Sequence, residues 1–586
     1  MLEQLILKET ANSRKLAEQA AVERLLNAYL RENNIFDPRI SNEQFIVMLK
    51  NNGKKISGSF IYWSPIGHHT FGERFYINEE SGFIKVTARE VIELIIEELS
   101  YFEKDRQLRS KKIETILEHI ENSIAKTTMY LEHALMKKQR EQPVYLNSEQ
   151  SLLLGHPFHP TPKSSEGFSE SDLAEFAPEL GASFLLHYIA ISNEYLLEER
   201  ITESALHFDS ALSNQELLEV KQRLGDRHEE YKLLPLHPWQ ARYLLGLEEV
   251  QGLIQRGEIV NLGRLGPFVY PTSSIRTIWD KRQNAFYKLP LHVQITNFIR
   301  TNSLEQVKRT MDAAKVIAHI RKSYETDSFR ILLELGYRAL SIPESSKEVN
   351  GRLIQNTAVL FREGVEGLEK KGDDDLYVTA SLLEEQPGWK ESELAKLLKT
   401  YKYNEKEWLR QYLSISLVPM LKLFAETGVS LEAHVQNSLV KFVKGWPETC
   451  YVRDLEGISI SRNKAEANGW LQKLLAEDSP VLYSEEESWL RFNYYVVVNH
   501  LGHLISSLGK VHNSDERELW QVVRSILLEI EKTTFSKALK TYAGKLLESK
   551  TLPAKANLVS RFQERGETPL FVEIPNPIYE SEGALW

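Results

Sequence analysis

The amino-acid sequence predicts a helix-rich α+β protein of several domains, with its strands paired mainly antiparallel. Apolar residues recur at helical spacing near both ends of the chain. Strand-like runs joined by glycine turns interrupt the first third. The 586 residues are also too many for a single hydrophobic core, so we expect more than one domain.

The first third of the chain combines helices with hairpins. Helical spacing predicts three helices, over residues 13–32, 91–99 and 113–135. Two hairpins are predicted, over residues 45–63 and 75–86. The second hairpin is expected to turn at Glu80-Ser81-Gly82, and the charged stretch 137–142 is typical of a linker. We therefore expect an N-terminal domain over residues 1–144.

The middle of the chain is expected to form a second domain over residues 145–385. Apolar and less apolar residues alternate over 289–295, which predicts a strand. A long helix is predicted to follow over 303–324.

The last part, residues 386–586, is expected to form a third domain that is again rich in helix. A helix over 408–427 is predicted to break near Pro419, because proline has no N–H to donate. The segment 431–437 is predicted to be a strand, and 451–453 a shorter one.

Composition excludes several classes of protein. A net charge of −10 and a pI of about 6.0 do not favour nucleic acid or an anionic membrane as a partner. No run approaches the length of a membrane span, and the first residues lack the apolar region of a signal peptide, so we expect a cytoplasmic protein. Cys450 is the only cysteine, which excludes an intrachain disulfide and a cysteine-ligated iron–sulfur cluster.

The segment 154–169, LGHPFHPTPKSSEGFS, is the most informative stretch, and we name it the His–Pro loop. Pro160 and Pro162 exclude a regular helix. We expect a rigid loop that holds three candidate binding residues, His156, His159 and Lys163. A zinc site on the two histidines is an alternative, but it would need a third ligand that the loop does not offer.

A second polar cluster surrounds the predicted strand at residues 289–295. Its members are Ser274, Arg276, Thr277, Lys288, Thr296 and Arg300. Hydroxyl, guanidinium and ammonium groups together suit a polyanion such as a nucleotide. Surface salt bridges are the alternative for each residue alone. The chain contains no P-loop, no G-x-G-x-x-G and no kinase catalytic-loop motif, so a bound nucleotide would need another scaffold.

A third cluster mixes carboxylates, an amide and an imidazole. Its members are Glu432, His434, Asn437, Arg453 and Asp454. The oxygen ligands suit Mg²⁺, and His434 can contact a phosphate. The alternative is a buried histidine with a structural hydrogen bond.

Other candidates have mainly structural interpretations. The apolar neighbours of His237 favour packing in a core. Adjacent histidines, as at His68 and His69, point to opposite faces of a strand and do not favour a metal. Lys555 can contact a pocket, but a solvated lysine on a helix is the simpler interpretation.

Several short motifs then occur together and in a specific order. They are GHPFHPTPK (155–163), LPLHPWQ (234–240), SSIRT (273–277), Lys288, ITNFIR (295–300), EAHVQN (432–437) and RDLEG (453–457). In these motifs, over nearly its whole length, the chain resembles the IucA/IucC family of NRPS-independent siderophore synthetases.

The resemblance implies a fold, a chemistry and a set of roles. It implies a cupped hand of thumb, fingers and palm, assembled as a homodimer. It implies that ATP and Mg²⁺ convert a carboxylate into an acyl adenylate, which an amine or hydroxyl then attacks. The implied ATP contacts are Ser274, Arg276, Thr277, Lys288, Arg300, His434 and Asn437. The implied substrate contacts are His156, His159, Lys163, Thr296 and Arg300, and the implied Mg²⁺ ligands are Glu432 and Asp454.

Among these residues we expect Lys288, Arg300 and His434 to be the catalytic groups. One position departs from the family pattern, because Ser165 stands where many members have an arginine. This departure leaves open whether the acid is citrate, a citrate monoamide or 2-oxoglutarate.

The expected function is ATP-dependent condensation of a small polycarboxylate with an amine or hydroxyl nucleophile in siderophore assembly. Two alternatives come from other classes. One is a non-catalytic protein that binds citrate or a ferric siderophore, and the other is a kinase of a small acid.

Overall fold

A computed structural model of the protein describes residues 2–79, 82–136, 142–201, 208–296, 298–365, 374–385, 391–566 and 568–579. Within these ranges, no helix is both long enough and apolar enough to cross a membrane. The predicted helix-rich α+β architecture is confirmed.

The N-terminal part comprises α1 (Leu2–Glu32), β1 (Gln44–Met48), β2 (Lys55–Tyr62), β3 (Thr70–Glu79), β4 (Gly82–Val86), α2 (Ala88–Ser100) and α3 (Arg106–Met136). Its strands form an antiparallel sheet in the order β1-β2-β3-β4, so both predicted hairpins are confirmed. Residues 80 and 81 of the second turn lie outside the described residues, as do residues 137–141 of the predicted linker.

The middle part comprises α4 (Val144–Gln150), β5 (Ser165–Glu166), α5 (Glu170–Phe176), β6 (Phe184–Ser192), β7 (Leu196–Arg200), α6 (Asn214–Leu224), β8 (Tyr231–Leu236), α7 (Pro238–Leu245), α8 (Glu248–Gln255), β9 (Ile259–Pro271), β10 (Thr277–Asp280), β11 (Ala285–Lys288), β12 (Leu291–Ile295), β13 (Phe298–Arg300), α9 (Leu304–Tyr324), β14 (Phe329–Ile331), β15 (Glu334–Leu340), α10 (Lys347–Thr357), β16 (Val359–Glu363), β17 (Asp374–Val378) and α11 (Thr379–Leu383). An eight-stranded antiparallel sheet runs in the order β7-β15-β16-β11-β10-β9-β6-β8.

The C-terminal part comprises α12 (Glu393–Tyr401), α13 (Glu405–Ile415), α14 (Leu417–Thr427), β18 (Val429–Ser430), β19 (Ser438–Val443), β20 (Trp446–Val452), β21 (Ser459–Ser461), α15 (Arg462–Ala467), β22 (Leu482–Tyr483), α16 (Glu485–Phe492), α17 (Gly502–His512), α18 (Glu516–Thr533), α19 (Lys537–Glu548), β23 (Thr551–Lys555), α20 (Asn557–Phe562) and β24 (Phe571–Pro575). A four-stranded sheet, β14-β20-β19-β17, joins middle and C-terminal strands, and its β14–β20 pair is parallel. The division of the chain near residues 145 and 385 stays a prediction.

Two large hydrophobic cores lie on opposite faces of the eight-stranded sheet. Alternate residues of a strand point to opposite faces, and β11 shows the consequence. Ala285 and Tyr287 pack into the core shared with the N-terminal part, whereas Phe286 packs into the core of the C-terminal part. By the same alternation, Lys288 faces the C-terminal part, and this places its charge at the site described below.

Two predictions about the C-terminal part have different outcomes. The helix predicted over 408–427 breaks, as expected, and the break lies at Ser416, three residues before Pro419. The strand predicted over 431–437 is wrong. These residues form a loop, because the carbonyl of His434 accepts the N–H groups of Asn437 (3.0 Å) and Ser438 (3.1 Å) and turns the chain before β19 begins.

The helices α16 and α17 and the segment between them form one continuous helical stretch, the α16–α17 column, which reaches from the C-terminal part to the site. Between α16 and α17 the chain keeps helical dihedral angles but winds as a π-helix over Asn493–Leu501. Such segments re-aim side chains and are frequent at functional sites. Here the π-helix presents Tyr494, Tyr495 and Asn499 to the central cavity.

Candidate active site

A cavity of about 710 Å³ lies where α1, the His–Pro loop, the eight-stranded sheet and the column of α16 and α17 meet. Every predicted site residue lines it. They are His156, His159, Lys163, Ser274, Arg276, Thr277, Lys288, Thr296, Arg300, Glu432, His434, Asn437 and Asp454. The structure therefore brings together three clusters that are far apart in the sequence.

Lys288 is the central cation of the cavity. It ends β11, and its backbone lies directly across from Thr277 on β10. Its Nζ donates to Asp454 Oδ1 at 2.6 Å and to Glu456 Oε2 at 2.8 Å. The side chain of Lys288 is only 5% exposed, so this group of charges is held in a partly desolvated setting.

The two carboxylates beside Lys288 are held ionised. Burial alone would raise the pKa of Asp454, but the charges of Lys288 and Arg362 together outweigh burial and lower that pKa below its ordinary value. For Glu456, burial is likewise outweighed by the charges of Lys288 and Arg276, so its pKa is also lowered. The carboxylates thus compensate cations that an incoming polyanion can engage.

Arg276 is oriented by the backbone that follows β13. Its Nη1 donates to the carbonyl of Thr301 at 2.9 Å and to Asn302 Oδ1 at 2.6 Å. Its Nη2 lies 3.8 Å from Glu456 Oε2. These contacts fix one edge of the guanidinium in place and leave the charge facing the cavity.

Arg300 has a different environment. Its Nη2 donates to Thr296 Oγ1 at 2.9 Å. Burial, together with the charge of nearby Arg276, lowers the pKa of Arg300 to about 10. A buried guanidinium beside a second positive charge favours the binding of an anion, because the anion compensates both charges.

Strained backbone occurs at three positions that line the cavity. Ile275, Thr296 and Asp454 have φ values of 66°, 59° and 72°, in the left-handed region. β-Branched residues such as Ile275 and Thr296 rarely adopt this conformation, and strain of this kind tends to persist where function requires it.

Four histidines share one local geometry that sets their tautomer. In His156, His159, His237 and His434, Nδ1 accepts the backbone N–H of the second residue that follows, at 3.1 to 3.2 Å. In the three His-Pro motifs this is the first N–H available, because proline has none. A neutral ring in this geometry carries its proton on Nε2.

His434 and His156 are neutral in the cavity. Burial lowers the pKa of His434, with a partial opposing effect of Glu432, and burial with His159 lowers the pKa of His156 well below its ordinary value. Each ring can therefore donate a hydrogen bond from Nε2. The side-chain amide of Asn499 lies 3.0 Å from His156 Nε2, and it accepts this proton when its oxygen, rather than its nitrogen, faces the ring.

The His–Pro loop is held in place by acidic residues that sequence reasoning missed. Glu384 accepts the backbone N–H groups of Leu153, Leu154 and Gly155 at 2.6 to 3.2 Å. Lys163 donates to Glu179 at 2.6 Å, so its charge is already paired. Only the three-dimensional fold brings these carboxylates to the loop, and no local signal marks them.

Glu432 sits against a glycine that leaves it room. A Cβ atom on Gly457 would lie 1.6 Å from Glu432 Oε2, so this position requires glycine whenever the carboxylate is there. The Glu432 carboxylate also bonds to Tyr495, whose hydroxyl accepts from Lys555 Nζ at 2.9 Å.

Lys555 corrects the sequence interpretation. It lies at the end of β23, not on a solvated helix, and lines the cavity over the rings of Tyr494 and Tyr495. Burial lowers its pKa. The pairing of β23 with β24 places it there, and no motif in its own segment shows that contact.

A buried ion pair, also missed, supports the third cluster. Arg453 pairs with Glu149 on α4, and Glu149 Oε2 accepts the Ser273 N–H at 3.1 Å. Burial alone would raise the pKa of Glu149, but the charge of Arg453 and the hydrogen bonds from Arg453, Tyr145 and the Ser273 N–H together outweigh burial and lower the pKa. Through Glu149, the SSIRT turn (273–277) is held next to Arg453, the residue that precedes Asp454.

Two further histidines, His237 and His68, are buried. His237 is fully buried, accepts the Trp239 N–H at the start of α7 and packs against Phe176 and Phe184. His68 stacks on His503 at 4.9 Å beside the cavity. In the described part of the chain, no three histidine, cysteine, aspartate or glutamate side chains are grouped to hold a metal.

Comparison with known proteins gives matches over nearly the whole length of the chain. A model of the IucA / IucC family matches residues 144–384. A Staphylococcus aureus protein named L-2,3-diaminopropanoate–citrate ligase is 39% identical, with 96% of each chain covered. A Bacillus anthracis protein named spermidine-citrate ligase is 27% identical, with 97% of this chain and 98% of the relative covered.

A solved structure supports the fold. The ATP-bound aerobactin synthetase IucA from a hypervirulent pathotype of Klebsiella pneumoniae superposes with a TM-score of 0.82 at 24% identity, and covers 96% of this chain and 100% of that chain. The likeness at this identity concerns the architecture alone.

A second family model, described as a ferric iron reductase FhuF-like transporter, matches residues 406–570. Cys450, the only cysteine of the sequence, is buried within β20, and burial raises its pKa to about 12. One inert thiol cannot ligate an iron–sulfur cluster, so the C-terminal match does not extend to that chemistry.

Proposed function

We propose, from the premise that this chain belongs to the IucA/IucC family, that it is an ATP-dependent ligase which joins citrate to an amine in siderophore biosynthesis. The observation that carries the proposal is the convergence of Arg276, Lys288, Arg300 and neutral His434 on one cavity. This donor set suits a nucleotide that must be brought against an anionic acid.

The charges of the site fit adenylation of a carboxylate. A triphosphate and a polycarboxylate repel one another, so cations must offset their charge and stabilise the charge that develops at the α-phosphorus. We assign Lys288 and Arg276 to the phosphates and place Arg300 between phosphate and acid. His434 Nε2–H would donate to a phosphate oxygen, with Ser274, Thr277 and Asn437 as further polar contacts.

Two bond exchanges make up the proposed reaction. A carboxylate oxygen of the acid attacks the α-phosphorus of ATP, and pyrophosphate leaves. The amine nitrogen then attacks the acyl carbon, the bond from that carbon to the bridging oxygen breaks, and AMP leaves with the oxygen. The nitrogen gives up a proton to a base, and an amide remains.

The carboxylates of the third cluster fit Mg²⁺. We propose Glu432 and Asp454 as its protein ligands, because Mg²⁺ is commonly held by one or two carboxylates together with substrate phosphates. Asp454 is kept ionised by its cationic neighbours, and Gly457 leaves room for the Glu432 carboxylate. When bound, Mg²⁺ would neutralise phosphate charge.

The acid is assigned to the side of the His–Pro loop. We propose that His156, His159, Lys163 and Thr296 face it, and that it is citrate, which both compared relatives carry in their names. Ser165 stands in this wall, with its hydroxyl buried and without a partner in the described chain, where many members of the family have an arginine.

The amine class is not set by these residues. One compared relative is named for L-2,3-diaminopropanoate and the other for spermidine, so a diamino acid and a polyamine are both consistent with the family.

We also propose that the protein is a homodimer, which sedimentation equilibrium tests.

Nucleotide product analysis tests the proposal. Purified protein is incubated with ATP, Mg²⁺, hydroxylamine as a small nucleophile, and citrate, a citrate monoamide or 2-oxoglutarate in turn. The expected result is citrate-dependent release of AMP with formation of the citryl hydroxamate. Release of ADP would support a kinase instead, and citrate binding without nucleotide turnover would support a binding protein.

A further inference from the structure

A polar stripe on α1 faces the cavity and has no role in the reaction described above. Glu23, Arg24 and Asn27 all line the cavity, together with Ala20, at the spacing that places residues on one face of a helix. The rest of this part of α1 packs into a hydrophobic core through Val22, Leu25 and Leu26. Polar side chains buried on such a helix cost free energy unless they find hydrogen-bond partners, so they point to a bound ligand.

Arg24 is a buried guanidinium with unused donors. It is 5% exposed, and its Nε and Nη2 atoms have no hydrogen-bond partner in the described chain. Its Nη1 makes one long contact, 3.4 Å to the carbonyl of Leu154 at the start of the His–Pro loop. Two adjacent free donors of a planar guanidinium match the two oxygens of a carboxylate.

Acceptors accompany these donors on the same face. Glu23 Oε2 accepts one N–H, that of Phe71, at 3.3 Å. Asn27 donates to the carbonyl of His69 at 2.9 Å, and its own Oδ1 is buried without a partner in the described residues. A carboxylate and an amide oxygen together suit an ammonium group.

The polar stripe on α1 carries both positive and negative charge, which argues against the polycarboxylate as its ligand. Citrate carries only negative charge, and Glu23 and Glu384 both lie close enough to Arg24 to interact with it electrostatically. Both carboxylates line the cavity, but Glu384 already accepts three N–H groups at the start of the His–Pro loop, whereas Glu23 accepts one. Burial raises the pKa of Glu23 to about 7, although the charge of Lys510 opposes this, and a bound ammonium would lower that pKa further.

We infer that Arg24, Glu23 and Asn27 form the subsite for the amine substrate and that this substrate is an α-amino acid with a second amino group. The inference rests on the proposed ligase function. Arg24 binds the α-carboxylate, and Glu23 and Asn27 bind the α-ammonium. Because this subsite engages both charges of the amino acid, the nitrogen that attacks the acyl group must be the second one.

A matched pair of amines tests the inference on the unmodified protein. L-2,3-diaminopropanoate and ethylenediamine present the same pair of amines, and only the first has a carboxylate. We expect kcat/KM for the diamino acid to exceed that for ethylenediamine by on the order of 10²-fold, since a polar site built for a group rejects the analogue that lacks it. A ratio near one would overturn the inference.

Variants then locate the preference. Arg24→Gln is expected to lower the ratio of the two kcat/KM values at least tenfold, and Arg14→Gln, on the same helix but paired with Glu121 outside the cavity, is the control whose ratio stays unchanged. An unchanged ratio in Arg24→Gln, with a raised KM for citrate, would mean that Arg24 serves the acid and would refute the assignment.

A second variant separates the two charges of the subsite. Glu23→Gln is expected to lower kcat/KM for both amines and to leave their ratio within about threefold, because both carry an ammonium. A loss confined to the diamino acid would contradict this role. Failure of the ligase function itself is distinguishable, since the unmodified protein would then release no AMP even with hydroxylamine, which needs no subsite.

Discussion

The ammonium of Lys288 lies 2.6 Å from the carboxylate of Asp454, although 166 residues separate them in the sequence. This contact joins the end of β11 to the loop after β20, and so links the eight-stranded sheet to the C-terminal part. Asp454 adopts a left-handed conformation with φ of 72° to reach it. The contact lies where phosphates and Mg²⁺ would meet in the proposed reaction.

Replacement of Lys288 tests its assignment. Lys288→Gln is expected to lower kcat for AMP release by roughly 10²–10³, because a preorganised cation that stabilises developing phosphate charge is lost. Lys308→Gln is the control, since Lys308 is partly exposed and pairs with the exposed Asp478. A loss of less than tenfold in the Lys288 variant, with an unchanged thermal midpoint, would contradict the assignment.

Gly457→Ala is expected to displace Glu432 without unfolding the protein. The added methyl would lie 1.6 Å from Glu432 Oε2, so the carboxylate must move. If Glu432 is a Mg²⁺ ligand, the Mg²⁺ concentration for half-maximal rate should rise, which a titration of rate against Mg²⁺ measures.

The matched control for that change is Gly351→Ala in α10. No atom lies within 4 Å of a Cβ built there, and alanine favours a helix over glycine by about 1 kcal/mol. The control should therefore be slightly more stable and should leave the Mg²⁺ titration unchanged. An equal titration in the Gly457 variant would remove Glu432 from the metal assignment.

His237 predicts a pH dependence of stability. Burial, and then the charge of Arg242, lowers its pKa to about 3 in the folded protein, against 6.5 for an ordinary histidine. Between these values the unfolded chain binds a proton that the folded protein does not. Stability is therefore lost as pH falls below 6.5, by about 1.4 kcal/mol per pH unit from this group.

His237→Asn isolates this contribution, because asparagine can also cap α7 by accepting the Trp239 N–H. The variant should be less stable at pH 7 through lost packing, but its urea midpoint should fall less steeply from pH 6 to pH 5. Parallel pH profiles for the two proteins would show that His237 is not the titrating group.

Removing one partner of the buried Glu149–Arg453 pair is expected to lower the free energy of unfolding strongly. Glu149→Gln leaves Arg453 buried with its charge uncompensated, at a cost of about 3–5 kcal/mol. The double variant Glu149→Gln, Arg453→Met should regain part of this, as thermal unfolding of the set would measure. A double variant less stable than the single one would show that the pair is not coupled in this way.

Much of the site was predictable because its motifs are local. The prolines of the His–Pro loop exclude a helix, and the same motifs set the tautomers of His156 and His159 through the first N–H available. The alternation along β11 directs Lys288 to one face. These features depend on neighbouring residues, which the sequence shows directly.

The parts that could not be predicted depend on distant contacts. Lys555 reaches the cavity because β23 pairs with β24, and Arg24 reaches it because α1 packs beside the His–Pro loop. The segment 431–437 has the alternation of a strand, yet two N–H groups bonded to the carbonyl of His434 make it a turn. In each case tertiary packing outweighs the local pattern.

Transfer of oxygen-18 tests the proposed adenylation most directly. Citrate labelled in its carboxylates is turned over with ATP and an amine, and the AMP produced is examined by mass spectrometry. Adenylation predicts one labelled oxygen in the phosphate of AMP, because the bridging oxygen leaves with the nucleotide. Unlabelled AMP, or ADP accompanied by label in inorganic phosphate, would contradict it.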